Sequence, residues 1–170
     1  ILDIQERQLV DRALSGYVSE SRLKRLISGK ETLNLKGRHM NLTTMLLDLA
    51  RFSTITKDLP SEKTFELIQK VYAVTDPLVF EYGGVIDKKT GDGFLAFFGD
   101  DEVAENKEVQ SEIERSRSAA RRACLCALAI QESLQEIRFK KILGGEAQVS
   151  ARIGVNSGEM MIGNAGSPLH

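Results

Sequence analysis

The 170-residue chain is poor in the residues that mark specialised protein classes, with two cysteines, three prolines and no tryptophan. Two cysteines are too few for a disulfide-rich secreted domain, and the absence of low-complexity sequence favours a globular chain. No apolar run reaches transmembrane length, and no secretory signal is visible. The 23 Lys and Arg nearly balance the 24 Asp and Glu, so nothing indicates a nucleic-acid-binding or membrane-contacting surface. This length and composition fit one domain with a sizeable core.

Cys124 and Cys126 lie two positions apart in a segment with helical periodicity, so they face different sides of the helix. Because no histidine or third cysteine lies near them in sequence, we interpret them as small buried residues rather than as metal ligands. Free thiols are typical of a reducing compartment, and we expect a cytoplasmic location. The chain begins at Ile1, and we expect it to be part of a longer protein, either multidomain or membrane-bound.

The most informative stretch, 83–99, has the turn chemistry of a β-hairpin. A β-prone run is followed by a tight turn at 90–93, where glycines are available for positive φ, and by an almost wholly apolar return strand. Asp92 lies between two glycines in this turn, and Lys88 lies four residues before it. Packing gives no reason for an acid there, so Asp92 either is solvated or meets a ligand.

The remaining segments predict two further strands and several helices. Before the hairpin, we expect a helical entry element over 1–36, a buried strand over 41–49 that carries Asp48 near its end, and a loop over 50–56. A helix over 60–82 follows, and Pro77 should kink or split it. After the hairpin, we expect an exposed acidic loop over 100–114, a helix over 114–138, and a strand over 147–155 followed by a hairpin turn at 156–159. The entry element is interpreted as a packing element or as a relay from an upstream domain.

This order of elements predicts an α+β, ferredoxin-like split βαβ sheet (βαββαβ) with the helices on one face. In that topology the strand end carrying Asp48 and the hairpin tip carrying Asp92 are neighbours. Two close carboxylates repel each other unless a cation lies between them, and hard oxygen ligands suit Mg²⁺ or Mn²⁺. Read separately, Asp48 would be a cap and Asp92 a turn residue, but that interpretation leaves the pair unexplained.

Four segments resemble the class III nucleotidyl cyclases, the family of adenylate and guanylate cyclase catalytic domains. Residues 47–53 (LDLARFS) and 83–99 (with DKKTGD and AFFG) resemble the family's first and second metal-binding segments. Residues 152–158 (RIGVNSG) and 162–166 (IGNAG) resemble the two strands that follow. The four occur in the family's order and spacing. The resemblance covers most of the chain and implies a cyclase catalytic domain over 37–170, preceded by the linker or transducer element over 1–36.

The resemblance implies an adenylate cyclase that converts ATP to cyclic AMP and pyrophosphate. Two ions of Mg²⁺ or Mn²⁺ per active site would be bridged by Asp48 and Asp92, with help from the backbone carbonyl of Leu49. Phe52 and Ser53, in the loop after Asp48, would offer backbone N–H groups to phosphate oxygens. Catalysis would then follow the two-metal pattern, in which the cations stabilise most of the developing charge.

Lys88 stands at the position where, by this resemblance, the family places a residue that selects the base. Lysine at this position resembles adenylate cyclases, whereas guanylate cyclases commonly have glutamate. An ammonium can donate to adenine N1, whereas guanine N1 carries a hydrogen and needs an acceptor. The alternative is a solvated hairpin lysine, since Lys89 lies beside it. The resemblance further implies a homodimer, with Asp48 and Asp92 from one protomer and Lys88 from the other, and an upstream sensor domain.

Two features depart from the family pattern. Arg51 stands where the family usually has glycine, three residues after Asp48. The family's second base-selecting residue, its ribose-orienting Asn, its transition-state Arg and a later Lys all follow the 162–166 segment, and the sequence ends at His170. We expect a longer cyclase whose C-terminal part is missing here, so that the fragment alone is inactive.

Other interpretations remain open from the sequence. One is a catalytically inactive cyclase-like module that binds nucleotide or dimerises in signalling, and a guanylate cyclase is a further alternative. A diguanylate cyclase or polymerase palm would share paired acids, but residues 91–94 do not supply the Gly-Gly-Asp/Glu-Glu-Phe type of hairpin. A purely structural ferredoxin-like domain would leave the paired acids without a purpose.

Overall fold

A computed structural model describes residues 38–99, 112–140 and 146–162 of the chain. In order, its elements are β1 (Arg38–Leu49), α1 (Phe52–Thr56), α2 (Ser61–Glu81), β2 (Gly84–Lys89), β3 (Gly93–Phe98), α3 (Glu112–Leu134), β4 (Arg138–Lys140), β5 (Glu146–Gln148) and β6 (Ala151–Ile162). The entry element over 1–36 and most of the acidic loop predicted over 100–114 lie outside the described residues.

Four strands form the main sheet, in the order β2-β3-β1-β6, and every neighbouring pair is antiparallel. Strands β4 and β5 form a separate two-stranded sheet. Helix α2 lies between β1 and β2 in the chain, and α3 lies between β3 and β6. This strand order and connectivity confirm the predicted α+β, ferredoxin-like βαββαβ plan.

One hydrophobic core joins the sheet to both long helices. Along β1, buried Met45, Leu47 and Leu49 alternate with more exposed residues, and Leu46 on the other face is 54 % exposed. The helices contribute the buried residues Leu67, Val71 and Val79 from α2 and Ala119, Ala123, Cys126, Ile130 and Leu134 from α3. The small side chains of α3 allow a close approach of that helix to the sheet.

The last strand differs from its prediction in two ways. Residues 146–148 pair with β4, and the strand of the main sheet begins only at Ala151. The hairpin turn predicted at 156–159 is wrong, because β6 continues without interruption to Ile162. The long β1 supplies backbone partners as far as Arg38, and the hydroxyl oxygens of Thr43 and Ser157 lie 2.8 Å apart across the pair. The ladder therefore overrides the local turn preference of Asn, Ser and Gly.

The helices also correct the sequence interpretation at several points. Pro77 does not split α2, which is assigned as one 21-residue helix. Residues 52–56 form a short helix rather than a loop, closed by the Ile55 N–H bond to the Arg51 carbonyl at 3.0 Å. Helix α3 ends at Leu134, four residues before its predicted end. Cys126 is buried as predicted, but Cys124 is exposed. None of the described helices is long and apolar enough to cross a membrane.

Candidate active site

Asp48 and Asp92 lie at the same end of the main sheet. In the β1–β3 pair Asp48 is opposite Gly93, and the backbone N–H of Leu49 donates to the Asp92 carbonyl at 3.1 Å. Leu49 itself is buried, while both aspartates are half-buried. The end of β1 and the hairpin turn are therefore joined directly through the backbone, and the two carboxylates belong to adjacent chain segments.

Glycine is required where the turn meets β1. A Cβ at Gly93 would lie 2.1 Å from the carbonyl oxygen of Leu47, far inside van der Waals contact. Gly91 has φ +86°, in the left-handed region that glycine favours. The Thr90 N–H donates to the Gly93 carbonyl at 2.8 Å and closes the turn. These constraints account for the glycines on both sides of Asp92.

Arg152, for which the sequence predicts no role, forms an ion pair with Asp48. It lies on β6 directly opposite Asp48, and its guanidinium donates to Asp48 Oδ2. The side chain of Arg152 is 74 % exposed, so solvent screens this pair. The register between β1 and β6 brings the two residues together across 104 positions of sequence, and no local signal could have identified the pair.

The two lysines of the hairpin differ sharply in their surroundings. Lys89 lies 2.6 Å from Asp76 Oδ2 and 4.3 Å from the centre of the Tyr72 ring. Lys88 pairs through its backbone with Leu95, but its side chain is exposed and has no hydrogen-bond or ion-pair partner among the residues the structure describes. A register shift between Ile86 and Lys88 leaves Asp87 unpaired, as in a β-bulge. The side chain of Lys89 is therefore held by contacts within the fold, whereas that of Lys88 is accessible to a ligand.

The segment after Asp48 turns sharply at Arg51, which has φ 57° and ψ 27°. This is the left-handed region, which explains why glycine suits the position. Phe52 then begins α1 and packs partly against the core, while Ser53 is exposed. Because the first intrahelical bond is donated by Ile55, the N–H groups of Phe52 and Ser53 have no acceptor within α1.

The oxygen donors present fit a magnesium-type ion better than a structural metal site. The described residues contain no cluster of three or more His, Cys, Asp or Glu that could enclose a metal. Two half-buried carboxylates with a nearby backbone carbonyl, at Leu49, match Mg²⁺ or Mn²⁺, whose remaining ligands are commonly water and substrate phosphate. Zinc would favour histidine or cysteine ligands, which are absent from this end of the described sheet.

A ferredoxin-like sheet with paired acids at the β1 end and the β2–β3 turn is the arrangement expected of a nucleotidyl-cyclase type of catalytic domain. The chain belongs to this family, since the sequence model of the adenylate and guanylate cyclase catalytic domain matches residues 35–168. It is also 24 % identical over 142 residues to adenylate cyclase 1 of Rhizobium meliloti (strain 1021). That match covers 82 % of this chain, which spans only 20 % of the length of the relative.

Two solved structures illustrate the fold similarity. The adenylyl cyclase CyaB from P. aeruginosa superposes with a TM-score of 0.61 at 23 % identity, covering 80 % of this chain and 65 % of that one. The non-canonical dimeric guanylyl cyclase domain of the RhoGC fusion protein from the aquatic fungus Blastocladiella emersonii gives 0.58 at 23 % identity, covering 79 % and 66 %. Since one neighbour is an adenylyl and the other a guanylyl cyclase, the shared fold does not by itself define the base.

Proposed function

We propose that this cyclase-family domain belongs to an adenylate cyclase, which converts ATP to cyclic AMP and pyrophosphate at a site shared by two protomers. The juxtaposition of Asp48 and Asp92 across the β1–β3 pair carries the proposal. A cap and a turn residue would have no reason to meet at one sheet end, whereas a bound divalent cation would stabilise both charges.

Asp48, Asp92 and the carbonyl of Leu49 would hold two ions of Mg²⁺ or Mn²⁺. When bound, these ions would favour deprotonation of the ribose 3′-hydroxyl and neutralise charge on the triphosphate. The protein's own contribution is the backbone hydrogen bond between Leu49 and Asp92, which holds the two chain segments that carry the aspartates together before any ligand binds.

Several positive or donor groups lie on the chain segments that carry or face Asp48, where a triphosphate would bind in this proposal. The Arg152 guanidinium lies at the Asp48 carboxylate, and Arg51 follows Asp48 by three residues. The N–H groups of Phe52 and Ser53, which lack acceptors within α1, would donate to phosphate oxygens. Together they would complement an anionic substrate in an otherwise nearly neutral chain.

Adenine selection is assigned to Lys88. Of the two adjacent lysines, Lys89 is already paired with Asp76, while Lys88 is exposed on β2. An exposed ammonium on a paired strand can meet a base presented by a second protomer, and its hydrogens match adenine N1.

The direct test is product formation by the full-length protein that contains this domain. With Mn²⁺ and either ATP or GTP, we expect cyclic AMP as the main product, and we expect Asp92→Asn to lower kcat by about 100-fold or more, on the scale of a lost metal ligand. The control Asp58→Asn changes an exposed acid outside the site. No cyclic nucleotide from a folded wild type would refute the enzymatic proposal, and preferential use of GTP would refute the role of Lys88.

A further inference from the structure

A single hydroxyl on α2 holds the carbonyl groups on both sides of Asp92. The Tyr72 hydroxyl lies 2.7 Å from the carbonyl oxygen of Gly91 and 2.9 Å from that of Gly93. A phenol has one proton, so it is shared between these two acceptors or alternates between them. The turn that presents Asp92 is thereby fastened to the helix that packs beneath the sheet.

The flanks of Asp92 explain why this fastening matters. Gly91 and Gly93 carry no side chains that could pack, and a Cβ at Gly91 would meet nothing within 4 Å. Glycines are the most conformationally free residues, so a turn of this composition needs external contacts to keep one geometry. Besides its own closing bond at Thr90, the turn is held by the Leu49 N–H at Asp92 and by Tyr72.

A second contact ties the preceding strand to the same face of α2. Lys89 pairs with Asp76 at 2.6 Å, and its ammonium lies 4.3 Å from the centre of the Tyr72 ring. Tyr72 and Asp76 are four residues apart on one helix and therefore lie on the same face. The side chains of Lys89 and Asp76 are only 26 % and 21 % exposed, so solvent screens this ion pair less than it screens one on the surface.

The electrostatic setting keeps the Tyr72 hydroxyl in its donor form. Burial, with the negative charges of Asp76 and Asp92, raises the pKa of Tyr72 above its ordinary value. The phenol therefore remains protonated throughout the neutral and mildly alkaline range and can donate to the two turn carbonyls.

We propose that Tyr72 is a positioning residue for Asp92, holding the turn at 91–93 in the conformation that binds the divalent cation. The role rests on the proposed function of Asp92 as a metal ligand. Tyr72 does not touch substrate or metal in this assignment. It acts through the backbone of the turn, and Lys89 with Asp76 supports it from the adjacent strand.

The test measures Mn²⁺ binding by electron paramagnetic resonance in the full-length protein, alongside cyclase kinetics. Tyr72→Phe removes only the hydroxyl, and we expect it to raise the Kd for Mn²⁺ about tenfold, the effect of losing one hydrogen bond. We expect kcat to fall by a similar factor, with less change in KM for ATP and partial recovery at high Mn²⁺. The matched control is Tyr82→Phe at the end of α2.

Lys89→Gln provides a second variant that weakens the same anchor without altering Tyr72. We expect a smaller rise in the Kd for Mn²⁺, about two- to threefold, because the lost Lys89–Asp76 ion pair holds the adjacent strand and not the turn itself. Unchanged Mn²⁺ affinity in a folded Tyr72→Phe protein would overturn the positioning role. If Tyr72→Phe does not fold, unchanged affinity in Lys89→Gln overturns it equally.

The variant Asp92→Asn separates the positioning role of Tyr72 from the proposed role of Asp92 as a metal ligand. If wild type binds Mn²⁺ and Asp92→Asn does not, the metal role of Asp92 holds and the Tyr72 variants test positioning alone. If wild type and Asp92→Asn bind Mn²⁺ equally or not at all, the proposed metal site fails and the positioning role fails with it.

Discussion

At the scale of single residues, Arg51 adopts a conformation that ordinarily belongs to glycine. Its φ of 57° is the one positive φ among non-glycine residues in the described parts of the chain. A side chain in the left-handed region costs about 1–2 kcal/mol. The family usually has glycine here, so this chain carries backbone strain three residues after Asp48.

Arg51→Gly should make the domain more stable. Relief of the left-handed strain, about 1–2 kcal/mol, exceeds the roughly 0.5–1 kcal/mol that glycine adds in unfolded-chain entropy, so we expect a net gain of about 0.5–1 kcal/mol. Urea denaturation measures the change. Arg51→Ala keeps the strain and removes the guanidinium, so it is the matched control. A loss of stability in both variants would show that the arginine side chain itself stabilises the fold.

At the scale of elements, the β2–β3 hairpin was predictable because its signals are local. Its turn glycines and apolar return strand define it within seventeen consecutive residues, 83–99. The strand β6 was misjudged at 156–159 because its partner, β1, lies more than a hundred positions away in sequence. The Asp48–Arg152 pair has the same origin, since a register between distant strands is not encoded in either strand alone.

The contact between β1 and β3 gives a sharp test of the hairpin's position. Gly93→Ala would put a Cβ 2.1 Å from the Leu47 carbonyl oxygen, and backbone cannot move aside as a flexible side chain can. We expect a loss of about 2–3 kcal/mol in unfolding free energy, the range of an overpacked core substitution. Thermal and urea denaturation would measure it.

Gly154→Ala is the matched control on β6. A Cβ there would have nothing within 4 Å, so we expect little or no destabilisation. Equal effects of the two substitutions would mean that general strand propensity, rather than the close approach of β1 and β3, accounts for the result at Gly93.

At the scale of the whole molecule, the sequence was sufficient for fold class and family, because several segments agreed in order and spacing. The homodimer implied by the same resemblance stays a prediction. The proposed active site takes Asp48 and Asp92 from one protomer and Lys88 from another. A C₂ pair of chains would then contain two equivalent sites, each incomplete without the other copy.

Mixing two defective variants tests this arrangement. Asp92→Asn and Lys88→Glu should each abolish most cyclic AMP formation alone, but a mixed dimer has one site with both residues intact. With random exchange, half the dimers are mixed and half of their sites are complete, so we expect about a quarter of wild-type activity. Cyclic AMP formation after co-expression measures the recovery. No recovery from demonstrably mixed dimers would place both residues within one protomer's site.

The irregularity in β2 also has a consequence for solubility. β2 is an outer strand of the four-stranded sheet, and outer strands offer unpaired backbone groups to other chains. The register shift at Asp87 and the adjacent charges of Lys88 and Lys89 interrupt that flat ladder. A substitution that removed the register shift in β2 would therefore expose a regular outer strand, with which other chains could pair and aggregate.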